Sequence, residues 1–180
     1  MAAVETRRGI FITMLKNHFF NAFADVVFII FAFKWLYNLD WGIILLFSIT
    51  GFFYLTGIYS YSYYQAKVDL RDKGAYDFTA PLKIGGTSSL MILIPALLHI
   101  LFLNVAPSIG EYFGVFARFW NYSFFWFIYG KDGTYFNWPA LIIISLLPVA
   151  TGYLSYYLGI RKFEFSEKIF KIIYKSNGEK

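Results

Sequence analysis

Four stretches of the chain are apolar almost from end to end, and the charges collect between them. They run from about 18 to 37, 43 to 63, 88 to 106 and 139 to 160. Each is close to the ~20 residues that a helix needs to cross the hydrocarbon of a bilayer. None alternates polar and apolar residues with period two, which argues against a transmembrane β-barrel. Backbone groups in lipid must find partners within their own segment, and helices satisfy that demand. The pattern therefore predicts an all-α integral membrane protein with four transmembrane helices, a single polytopic domain over 1–180.

A fifth apolar stretch, 109–130, reads "IGEYFGVFARFWNYSFFWFIYG". On a helical wheel Glu111, Gly114, Arg118 and Asn121 fall on one side, and Phe113, Phe116, Trp120, Phe124 and Phe127 fall largely on the other. That is the pattern of a helix lying in the outer interface, where aromatic rings prefer to sit. A re-entrant segment packed against the spans is the alternative. The sequon Asn121-Tyr122-Ser123 lies inside this stretch and is read as chance.

Composition supports the membrane reading. The chain is 58% hydrophobic and 23% aromatic with only 15% charged residues, against about a quarter charged in soluble domains. It has no cysteine, which excludes disulfides, thiolate metal sites and Cys nucleophiles. The net charge of +5 does not point to nucleic acid, because the basic residues lie between apolar runs and form no single patch. Instead they mark topology. Arg7, Arg8 and Lys16 precede or open the first run, and Lys67, Arg71, Lys73 and Lys83 lie between the second and third. Arg161, Lys162, Lys168, Lys171, Lys175 and Lys180 follow the fourth, so only Lys34, Arg118 and Lys131 fall on the other side. This bias predicts both termini in the cytoplasm and an even number of spans in the cell membrane. A fifth span in 109–130 would break it. Arg7-Arg8 has a faint likeness to an export signal, but Lys16, Asn17 and His18 interrupt the apolar core that such a signal needs, so no cleavage is expected.

Three cytoplasmic features follow. The second helix should continue from Trp41 to Lys73, with Asp69 and Lys73 one turn apart and Gly74 as its terminator, projecting roughly 15 Å beyond the bilayer. "KIGGTSS" would open the third span, where Lys83, Thr87 and Ser88 could receive a lipid headgroup at a helix start, although plain capping by Thr87 or Ser88 uses the same residues. No Walker pattern is present. The tail 161–180 contains "SEKIFKIIYK", a short amphipathic helix whose Lys168, Lys171 and Lys175 would each gain about 1 kcal/mol at anionic lipid.

The candidate chemistry is intramembrane. His18, Asn21 and Asp25 share one face of the first helix at three- and four-residue spacing, with His18 and Asn21 toward the interface and Asp25 roughly 10 Å deeper. An aspartate near the centre of a span costs about 2.5–3.5 kcal/mol on insertion scales, so it should face protein or water. Counting inward from the cytoplasmic ends puts Thr56, His99 and Thr151 near the same depth, which predicts a polar layer of Asp25, Thr56, His99 and Thr151. Interhelical glue at about 0.6 kcal/mol per contact is the plain reading of such a layer, and a proton or solute pathway the functional one. Pro95 and Pro148 each remove a backbone hydrogen bond within a span, freeing the carbonyls of Met91 and Ile144. No spacing matches a metal site or a nucleophile constellation, and no cofactor is expected. The expected function is that of an accessory, regulatory or assembly subunit of a membrane complex, in contact with the lipid bilayer and with a membrane-protein partner or a second copy of itself. A transporter or channel component using the Asp/His layer is the alternative.

Overall fold

The computed structural model describes residues 7–36, 41–130 and 136–161. Its elements are α1 (Arg7–Leu36), α2 (Gly42–Lys73), α3 (Ala80–Val105), α4 (Pro107–Trp120), a 3-10 turn (Tyr122–Phe124), α5 (Phe125–Tyr129) and α6 (Trp138–Ile160). Four of them, α1, α2, α3 and α6, are long and apolar enough to cross a membrane, and the chain is a multi-pass membrane protein. The ends carrying the start of α1, the α2–α3 loop and the close of α6 lie together and are called the basic end below.

Local chemistry explains where these helices start and stop, and the limits differ from those that hydropathy suggests. α3 begins at Ala80, about two turns before the apolar run expected to open near Ser88. Asp77 organises that start: its carboxylate accepts from Thr79 N at 2.9 Å and from Thr79 Oγ1 at 2.6 Å. Pro81 stands in the first helical turn, where its missing N–H costs nothing. α2 ends as expected at Gly74, whose φ of 65° is readily available only to glycine and whose N–H bonds Leu70 O at 3.1 Å. Asn137 caps α6, its side chain accepting from Ala140 N at 3.1 Å.

α6 packs against both α2 and α3, parallel to the former and antiparallel to the latter. Its stripe Ser145, Pro148, Gly152, Ser155 and Gly159 is buried. A Cβ on Gly85 of α3 would come within 2.6 Å of Pro148 O, and one on Gly159 within 2.7 Å of Tyr63 O. Only residues without side-chain bulk let these backbones approach so closely, the usual basis of helix association in lipid. Ser89 Oγ donates to Ser145 O across the same seam, and Ser62 Oγ donates to Gly152 O at 2.8 Å.

The aromatic stretch takes the re-entrant form. Ala106 precedes a proline and adopts φ −147°, ψ 78°, and the chain turns back on itself there. α4 then descends along α3 with Gly110 against Leu103 and Gly114 against His99. The face turned to α3 is made of Gly110, Gly114 and Ala117, all buried, while Tyr112, Val115 and Phe116 point outward. A helix resting in the interface would have put its aromatic side down; here small residues win because they allow backbone contact with a neighbouring helix. The arm formed by α4, the 3-10 turn and α5 reaches the middle of the bundle and returns, Asn137 N bonding Ile128 O at 2.8 Å before α6 begins. Phe124, Ile128 and Tyr129 of the arm join Tyr54, Ile58, Ile92 and Leu141 in one core.

Candidate functional site

The tip of the arm is held by three spans, α1 and α2 through side chains and α3 through main-chain carbonyls. Pro95 leaves Met91 without an intrahelical donor, and Trp120 Nε1 fills the vacancy at 2.8 Å. Asn121 Nδ2 donates to Ile92 O at 3.1 Å on the same stretch of α3. From α1, His18 Nε2 lies 2.8 Å from Trp120 O and must donate to it, so in the neutral ring Nδ1 accepts from Tyr54 Oη at 2.9 Å. The His18 and Trp120 rings stack with centroids 4.8 Å apart. Ser123 Oγ then donates to Asp25 Oδ2, and Thr50 Oγ1 reaches Ser123 O at 3.2 Å. Asp25 is 4% exposed and His18 3%; both belong to one latch that joins α1 and α2 to the arm.

Asp25, Thr56, His99 and Thr151 are not brought into one layer. Asp25 meets Ser123. Thr56 is exposed and its hydroxyl returns to Phe52 O of its own helix at 2.8 Å. His99 is buried on the α3–α4 side, beside Gly114 and Tyr129. Thr151 is half-buried next to Gly152, which Ser62 bonds, roughly 20 Å nearer the basic end than Asp25 by the helix rise. Depth counted from assumed span ends goes astray because the helices overhang the apolar runs by unequal amounts, and because equal depth says nothing about which face a residue occupies. Asn21 is half-buried and donates to Asn17 O at 2.7 Å and to Asn17 Oδ1 at 3.1 Å, bracing the amide that lies over Gly57.

At the basic end, Lys83 pairs with Asp77 at 3.2 Å, while Thr87 Oγ1 and Ser88 Oγ bond the carbonyls of Lys83 and Ile84 within α3. Thr87 and Ser88 thus sit inside the helix and neither caps its start. Sequence reading passed over the neighbouring cluster on Asp69, which is fully buried. Its carboxylate accepts from Gln65 Nε2 at 3.0 Å and from Tyr156 Oη at 2.7 Å, and the same Tyr156 oxygen accepts from Asp77 N at 2.8 Å. This ties α2, the α2–α3 loop and α6 together. Asp77 lies outside the spans, and its bonds from Thr79 and the nearby Lys83 hold its pKa down at about 2 despite partial burial. The tail expected to form an amphipathic helix falls in 162–180, outside the described residues, as do Lys131 and the residues after it to 135.

Between α2 and α6, toward the other end, the surface has a groove of about 440 Å³ lined by residues such as Gly51, Phe52, Phe124, Phe127 and Leu147. Its lining is apolar, as expected for a surface facing acyl chains.

Trp120, Asn121, Ser123, Tyr54 and Asp69 carry most of this geometry; the sequence shows Trp120 and Asn121 only as faces of a wheel, Asn121 and Ser123 as a sequon, and Asp69 as one half of a helix pair. The one sequence signal pointing to them was Pro95, which shows that Met91 O needs a donor but not which side chain supplies it. Compared with known protein families, characterised proteins and solved structures, the chain matches none.

Proposed function

We propose that the protein works by interaction, as an accessory or assembly subunit embedded in a membrane complex. The observation that carries this reading is the filled centre of the bundle: the arm occupies the space in which a small four-helix protein would hold a substrate path, and Asp25 and His18 are engaged with it. Around this rigid centre, α1 turns a ridge of aromatic side chains outward, with Phe20 70%, Phe23 56% and Phe31 74% exposed. Such a face packs against lipid or against another helix, and its breadth suits a partner span or a second copy. The positive-inside bias supports a cell-membrane location with both ends in the cytoplasm, where the basic tail would add contact with anionic lipid.

A photo-crosslinking residue placed at Phe20 or Phe23 tests this in intact cells. One discrete adduct, of defined mass and lost when the residue is moved to the groove at Phe52, is the expected result. Crosslinking only to lipid, together with proton or solute flux through the purified protein in proteoliposomes, would reverse the reading in favour of transport.

A further inference from the structure

Two recesses open on the surface where α1 passes the end of α4. One, of about 310 Å³, lies between α1 and α3 and is lined by residues such as Phe11, Leu15, Ile94, Pro95 and Trp120. The other, of about 530 Å³, is lined by Leu15, Lys16, Phe19, Phe20 and Trp120. Leu15 and Trp120 line both, so the two recesses are neighbours that share a wall. The gap has a structural cause. α3 and α4 close on Gly110 and Gly114, whereas α1 meets α4 through the stacked rings of His18 and Trp120, whose bulk holds those two helices further apart. Trp120 is not free to swing into the space, because its indole N–H bonds Met91 O and its carbonyl accepts from His18. A wall fixed in this way lowers the ordering cost of binding.

The lining indicates the occupant. Apart from Lys16 and Thr87, every residue of the two recesses is apolar or aromatic, and Phe11, Phe19, Ile94 and Phe116 are about half exposed. Water finds no partners in such space, and the acyl chains that surround this surface in a bilayer fill it. Lys16 adds selectivity. It is exposed, and among the described residues no carboxylate pairs with it. It stands two residues before the apolar run that opens at His18, at the boundary between hydrocarbon and headgroups. Long side chains on a helix lean toward its N-terminus, which for α1 is the basic end. The stem of Lys16 therefore lies along apolar surface while its ammonium is carried toward the headgroups. A cation beside two apolar troughs has the layout of a phosphate above two acyl chains.

We infer that the crevice between α1 and α4 binds one anionic phospholipid, its chains on either side of the wall formed by Leu15 and Trp120 and its phosphate on Lys16. This differs from the contact expected of the basic tail, which would meet any anionic surface, whereas the crevice holds a single molecule. It shares Phe20 with the aromatic ridge of α1, which runs on through Phe23 and Phe31 beyond it, so a partner span and the lipid are compatible.

Tryptophan quenching by brominated lipids tests the site. The purified protein is placed in phosphatidylcholine bilayers with a rising fraction of chain-brominated phosphatidylglycerol or, separately, chain-brominated phosphatidylcholine. The signal due to Trp120 is read as the difference from Trp120→Phe. Its half-quenching should need about fivefold less of the anionic lipid than of the zwitterionic one, the preference that one lysine near an anionic headgroup provides. Lys16→Gln should bring the two curves together, and Lys16→Arg should keep them apart. Native mass spectrometry from mild detergent gives a second reading that does not need the Trp120 variant: wild type should retain one phosphatidylglycerol per chain, and Lys16→Gln several-fold less. Equal quenching by the two lipids would overturn the inference and leave the crevice to ordinary annular lipid. A preference, or a retained lipid, that survives Lys16→Gln undiminished would overturn it as well, by removing Lys16 from the headgroup.

Discussion

The seam between α3 and α6 and the joint between α1 and the arm hold the same bundle together with opposite materials. In the seam, Gly85 and Gly152 bring the backbones of α3 and α6 into contact and Ser89 bonds the main-chain carbonyl of Ser145 across it. Gly159 and Ser62 do the same between α6 and α2. In the joint, the helices stay apart and long side chains do the bridging, from His18 to Trp120 and from Asp25 to Ser123. Lipid offers no hydrophobic drive for helix association, so contact must come from close packing or from polar groups that lipid cannot satisfy. This protein uses one on each side of the arm. The seam should therefore fail sterically and all at once, and the joint by graded loss of individual bonds.

That contrast can be broken most sharply at adjacent glycines. Gly85→Ala should destabilise the protein by about 2–3 kcal/mol in reversible unfolding from mild detergent into SDS, because the new Cβ meets backbone that has nowhere to go. Gly86→Ala, with open space around its Cβ, should be neutral or stabilising by about 0.5 kcal/mol. Equal effects at the two positions would mean that the seam is looser than described.

At the joint, Ser123→Ala leaves the buried Asp25 carboxylate without its donor and should cost about 2 kcal/mol in the same assay. Adding Asp25→Asn should return part of that loss, since the remaining group is no longer ionisable. If the double variant falls as far as the sum of the singles, the two residues are not coupled. Trp120→Phe keeps the stack on His18 but withdraws the donor from Met91 O, and about 1 kcal/mol is expected to go with it.

The smallest effect is expected where the basic end meets water. Asp77 has its pKa depressed to about 2 in the folded chain, so its contribution is present above its unfolded value near 3.8 and disappears as pH falls through about 2. Asp77→Asn should flatten the stability curve between about pH 4 and pH 2 and leave it parallel to wild type above that window. A curve unchanged by the substitution would show that the Asp77 turn adds nothing to the packing of α3 on α6.

Much of the architecture was legible before any coordinates. The four apolar runs became helices, Gly74 ended α2, and Pro95 identified the carbonyl that needed outside help. The arm was legible only as a pair of alternatives, because a wheel sorts residues into faces without saying whether a small-residue face or an aromatic face will be the one buried. The site was less legible still. Asp25 stood out as a polar group that lipid could not host, yet its partner came from Ser123, about a hundred residues away and in a segment read for its rings.

The sequence by itself determined how many long apolar helices the described chain forms, that they suit lipid, and that Met91 O would need an outside donor, because length, hydropathy and proline act locally along the chain. Only the tertiary structure decided who meets whom. Turning the arm back along α3 gave Met91 O its indole and Asp25 its hydroxyl, and it brought Tyr129 against His99. Partnership in a membrane bundle depends on register and facing between helices, which are set by how closely their smallest residues let them approach.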